Sequence, residues 1–112
     1  MSKRSSPELL IEDIIKSAEK ILKYTTGVTF EEFEINDLLI DAVIRNFEII
    51  GEAANRLPED FKEKHNHIEW YRIRGFRNRI VHDYAGIDNS IVWSIIEEFV
   101  PIIIDSLKTI GK

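Results

Sequence analysis

The sequence contains no cysteine, which excludes a disulfide framework and any thiolate metal site. It has no apolar run approaching the roughly 18 residues that span a bilayer, and the longest candidate, Val100 to Ile104, is far too short. The N-terminal stretch from Met1 to Pro7 is polar and has no apolar signal-peptide core behind it. These absences predict a cytoplasmic protein without a membrane partner. Internal repeats, low-complexity segments and long linkers are also missing. So is an excess of positive charge: the net charge is -5, which taken alone argues against a phosphate-rich partner.

What is present fits one small domain. The 112 residues, 44% hydrophobic and 31% charged, suit a single soluble globular unit over residues 1–112. A chain this short buries only about two-thirds of its unfolded surface, so further burial against a second copy would stabilise it. The charge is unevenly placed. Arg72, Arg74, Arg77 and Arg79 fall between Trp70 and Val81 with no acid among them, while the rest of the chain holds 11 basic and 20 acidic residues. One arginine patch on an acidic body suits a local phosphate site better than a long nucleic-acid track.

The apolar spacing predicts an all-α protein, an up-and-down four-helix bundle with a short extra turn between helices 2 and 3. Ser6-Pro7-Glu8 opens the first helix with a cap, a proline at the first helical position and a dipole-compatible acid, and Gly27 closes it. The second helix begins at about Thr29 or Asn36 and ends at Leu57, before Pro58. Thr29 and Glu32 have capping-box spacing. Leu39, Val43, Phe47, Ile50, Ala54 and Leu57 form one apolar stripe, and Leu38, Ala42, Ile49 and Ala53 form another beside it. Two stripes exceed what a monomer's surface helix needs and predict a dimer, with Gly51 permitting close approach of another backbone. The third helix is expected from Ile68 to Tyr84, closed by Gly86. The fourth follows the caps Asp88-Asn89-Ser90 and is kinked at Pro101.

On a continuous third helix, Trp70, Ile73, Phe76, Ile80 and Val81 make the apolar face, and Arg77 projects from its middle. Arg72 and Arg79 fall on the solvent side. Asn78 and His82 share a neighbouring stripe with Tyr71 and Arg74, and Tyr84 returns to the face of Arg77. Arg77 and His82 are about 140° apart on such a helix, so one site uses both only if the helix loosens, Arg77 curls round or two copies combine.

Arg77-Asn78-x-x-x-His82-x-Tyr84 resembles the signature of HEPN-domain ribonucleases, and its spacing resembles the HepT toxin branch. The likeness extends to Ile49-Ile50-Gly51-Glu52-Ala53-Ala54, to the lead-in Trp70-Tyr71-Arg72-Ile73-Arg74-Gly75-Phe76, and to Trp93 with Val100-Pro101. It covers nearly the whole chain. The resemblance implies a metal-independent endoribonuclease that needs no cofactor, acts as a homodimer on RNA rather than DNA, and is paired with a nucleotidyltransferase antitoxin. It assigns Arg77 and His82 to catalysis, Asn78 to a supporting role and Tyr84 to AMPylation by the antitoxin. Arg74 is a candidate contact to an RNA phosphate.

The residue types suit that chemistry. RNA can be cut by its own 2′-hydroxyl if protons are moved and the phosphorane charge is stabilised. Histidine, with an ordinary pKa near 6.5, transfers protons near neutrality, and arginine offers a fork of N–H donors to phosphate oxygens. Each residue also has a plain structural role available. Arg77 could pair with Glu48 or Glu52, His82 could sit at a helix C-terminus, Asn78 could be a surface amide and Tyr84 could pack its ring. His65-Asn66-His67 reads as a solvated loop rather than a metal site, and Trp70 and Trp93 read as core anchors. A second function from a different class is a non-catalytic helical module that binds a nucleotidyltransferase and its nucleotide or substrate.

Overall fold

A computed structural model describes residues 6–76, 81–82 and 86–110, with the backbone alone at 81–82 and 86–87. Helix α1 spans Pro7–Thr25, α2 Phe30–Glu34, α3 Asp37–Arg56, α4 Glu59–Lys64 and α5 Trp70–Arg74. Strands β1 (Val81–His82) and β2 (Gly86–Ile87) follow, then α6 (Asn89–Glu98) and α7 (Val100–Lys108). Among the described residues the regular structure is helical apart from that one pair of two-residue strands. No helix among the described residues is long and apolar enough to cross a membrane.

The caps explain where the helices start. Ser6 Oγ accepts the Leu9 N–H at 3.2 Å, and Gly27 stands beyond the end of α1 at φ 77°, a left-handed conformation that glycine adopts without a Cβ penalty. Thr29 and Glu32 form a complete capping box, with reciprocal bonds of 3.1 and 3.0 Å. Asn36 then caps α3 through Leu39 N–H at 3.1 Å. The expected second helix is therefore two helices, because both candidate starts are used. Asp88 Oδ1 caps α6 by accepting N–H groups from Ser90 and Ile91.

α1 packs chiefly on α3 and α7, and α5 packs on α3. Leu10, Ile14, Ala18 and Ile21 of α1 meet Val43, Phe47, Ile50 and Ala54 of α3 and Val100, Ile103 and Leu107 in one buried cluster. The first stripe expected on the second helix is the core stripe, with Leu39 half-buried at its edge. The second is graded: Ala53 is buried, Ala42 and Ile49 are half-buried, and Leu38 is 82% exposed. Trp70 and Trp93 anchor the core as expected. Trp70 is buried and its Nε1–H donates to the His65 carbonyl at 3.1 Å, while Trp93 packs against Phe33 with ring centroids 5.0 Å apart.

Two further expectations are corrected. Pro101 opens a separate helix rather than kinking one: α6 ends at Glu98, and Phe99 joins the two with φ -112° and ψ -35°. Proline has no N–H to donate back, so the helical ladder is interrupted there and resumes with Ile103 N–H to the Phe99 carbonyl at 3.0 Å. The third helix does not run from Ile68 to Tyr84. It stops at Arg74, Gly75 caps it by donating to the Tyr71 and Ile73 carbonyls, and Val81–His82 is extended. Gly86, expected to close that helix, instead pairs with His82 in an antiparallel register that sets Val81 opposite Ile87.

Candidate functional site

The approach to the motif is built from α5 and its contacts with α3. Trp70, Ile73 and Phe76 carry the expected apolar face and are 7%, 0% and 1% exposed. Phe76 is held edge-on between Phe47 of α3 (5.0 Å, 69°) and Phe99 (5.6 Å, 82°). Phe76 immediately precedes Arg77 in the sequence. Arg72, expected on the solvent side, is only half exposed. It donates to Glu69 at 2.8 Å and lies over the Phe99 ring at 4.1 Å, fastening α5 to the junction of α6 and α7.

Of the site residues expected from sequence, Arg74 is described in full. It ends α5, is exposed, and lines an open cleft of about 650 Å³ between α3 and α5. Arg45, Glu48, Gly51, Glu52, Asn55 and Tyr71 line the same cleft. Arg77, Asn78 and Tyr84 lie outside the described residues. His82 is placed by its backbone, opposite Gly86 in the two-strand pair. Because His82 is extended, the angle between Arg77 and His82 on a continuous helix no longer describes how the two are related. Nor do Asn78 and His82 share a stripe of one helix.

The cleft adds residues that motif reading missed. Arg45, Glu48, Glu52 and Asn55 recur at steps of three and four along α3, so they share one polar face. That spacing is present in the sequence, but by itself it is what any solvated helix face shows. Arg45 and Glu48 approach to 3.8 Å, a weak exposed pair. Among the described residues Glu52 and Arg74 make no ion pair.

Gly51 sits where the two helices meet. A Cβ there would stand 3.8 Å from the Ile73 and Arg74 carbonyl oxygens, so the backbone it approaches within the chain is that of α5. His65 packs its ring against Phe61 at 4.7 Å and gives its carbonyl to Trp70, a structural role. Among the described residues no three His, Cys, Asp or Glu side chains gather to hold a metal ion.

A small helical domain with an arginine-rich lead-in and a short histidine-bearing strand pair defines a class that comparison with known proteins makes specific. The model of the family Ribonuclease HepT-like matches residues 14–110, and the chain belongs to that family. A candidate RNase of Methanocaldococcus jannaschii is 41% identical over 90% of this chain and 92% of its own length. The probable ribonuclease HepT of Thermococcus cleftensis is 38% identical, with 88% and 89% covered. A candidate RNase of Caldanaerobacter subterraneus subsp. tengcongensis is 34% identical over 94% of both chains. No solved structure matches the chain.

Proposed function

We propose that the chain is a metal-independent endoribonuclease and the toxin of a toxin–antitoxin pair. The observation that carries this reading is the match to the HepT-like family over residues 14–110, a span that contains every residue of the Arg77 to Tyr84 motif. In the proposed reaction the 2′-hydroxyl of one ribose attacks the adjacent phosphorus as the bond to the 5′-oxygen breaks. The products are a 2′,3′-cyclic phosphate and a free 5′-hydroxyl. His82 moves a proton, either from the 2′-oxygen or onto the leaving 5′-oxygen. Arg77 donates N–H groups to the phosphoryl oxygens as their charge grows, which is where such donors act most strongly.

One chain supplies one motif histidine, whereas a homodimer supplies two that can divide the acid and base roles. The half-buried Ala42 and Ile49 beside exposed Leu38 on α3 support a docking face for a second copy. Asn78 arranges the catalytic pair and Arg74 holds an RNA phosphate. The antitoxin is a nucleotidyltransferase that attaches AMP to Tyr84, adding bulk and negative charge at the RNA entry.

Expression of the chain alone tests the reading: growth should stop, and Arg77→Ala or His82→Ala should relieve the arrest while the protein still accumulates in folded form. Undisturbed growth at high levels of folded wild-type protein would sink it.

A further inference from the structure

The α3–α5 cleft holds a feature that the proposed chemistry leaves unused. Tyr71 is 70% exposed, and of the large apolar or aromatic side chains left exposed among the described residues it alone lines this cleft. The volume of about 650 Å³ lies in the range of small-ligand sites, roughly 300–1,000 Å³, and admits one nucleotide. The same cleft is lined by two guanidinium groups, Arg45 and Arg74, and two carboxylates, Glu48 and Glu52. The first of each partly satisfy one another at 3.8 Å. Arg74 and Glu52 remain unpaired among the described residues. A cleft with balanced charges does not suit a run of phosphates. An aromatic ring with one available cation and one available anion suits a single nucleotide, whose base and phosphate make different demands. Gly75, which also lines this cleft, stands two residues before Arg77 in the sequence.

We infer, building on the ribonuclease reading, that this cleft is a subsite for one unpaired nucleotide flanking the bond to be cut. The base stacks on Tyr71, Arg74 donates to the neighbouring phosphate, and Glu52 accepts N–H groups from the pairing edge of the base. Aromatic stacking and pairing-edge hydrogen bonds are the usual means by which proteins read single-stranded RNA. A carboxylate only accepts hydrogen bonds, so the base must donate. Guanine offers N1–H and N2–H side by side and fits best. Uracil, whose single N3–H lies between two carbonyl oxygens, fits worst.

The test is binding of short single-stranded 2′-O-methyl RNA, which cannot be cut by 2′-hydroxyl attack, to the full chain by fluorescence anisotropy. A strand of uridines is compared with the same strand carrying one central guanosine. The guanosine should tighten binding about tenfold, and Tyr71→Ala should remove about that much, the scale of one stacked base. Tyr71→Phe keeps the ring and should stay within about twofold. Glu52→Gln should abolish the preference for guanosine over uridine. The subsite is overturned if neither strand binds, if folded Tyr71→Ala binds like wild type, if Tyr71→Phe loses as much as Tyr71→Ala, or if the preference survives in Glu52→Gln. These readouts do not depend on cleavage. A chain that binds guanosine through Tyr71 yet cuts no RNA would overturn the ribonuclease reading alone. A chain that cuts RNA with KM unchanged in Tyr71→Ala would overturn the subsite alone.

Discussion

In the proposed reaction Arg77 and His82 have different parts, so removing each tests a separate step. Arg77→Ala removes stabilisation of developing phosphoryl charge and should lower kcat by about 10²–10³. His82→Ala removes a proton transfer and should lower it by about 10²–10⁴, with circular dichroism unchanged in both variants. The attacking group makes a further demand. RNA with a single 2′-deoxyribose at the scissile position should resist cleavage there, and products elsewhere should end in 2′,3′-cyclic phosphate by mass spectrometry. Tyr84 carries its own prediction: co-expression with the proposed nucleotidyltransferase antitoxin should raise the intact mass by AMP units, and Tyr84→Phe should abolish the increment. The residue types that the proposed chemistry calls on stand in plain order in the sequence motif. The polar wall of the cleft was harder to see, because Arg45, Glu52 and Asn55 on a helix look like any solvated stripe until α5 is packed opposite them.

Among the elements, helix starts were the most legible feature and the end of the third helix the least. Ser6, Thr29, Asn36 and Asp88 each cap through a side-chain oxygen, a local interaction that local sequence can specify. The third helix failed for the opposite reason. Ile73, Phe76, Ile80 and Val81 keep a helical period on paper, but the Gly75 cap ends α5, and the pairing of 81–82 with 86–87 is a non-local interaction. Arg72 was misread in the same way, since its partner Phe99 is distant in sequence. Two glycines give contrasting predictions. Gly51 lies inside α3 with only ordinary contacts at 3.8 Å around a Cβ, so Gly51→Ala should stabilise the chain by up to about 1 kcal/mol in urea unfolding. Gly75 has the Tyr71 carbonyl oxygen 3.1 Å from where a Cβ would stand, so Gly75→Ala should cost about 1 kcal/mol.

The molecule as a whole joins a closed core to an unevenly covered α3. The interior of α1, α3 and α7 follows from helical periodicity, and the all-helical class was legible from that pattern alone. Assembly is a separate matter, because a helical period does not distinguish a face that covers the chain's own core from one that covers a second copy. The proposed dimer should appear by light scattering at micromolar concentration. Mixing and refolding the inactive Arg77→Ala and His82→Ala variants together should then restore part of the activity if each site draws residues from two copies. If both residues come from one copy, the mixture should stay inactive. Cleavage by the purified chain itself bears most directly on the central claim. Incubated with single-stranded RNA in excess EDTA, the wild-type protein should cut it, and folded Arg77→Ala and His82→Ala should not. RNA left intact by the wild type across messenger, transfer and ribosomal substrates, or cleavage that persists in both variants, would contradict the account.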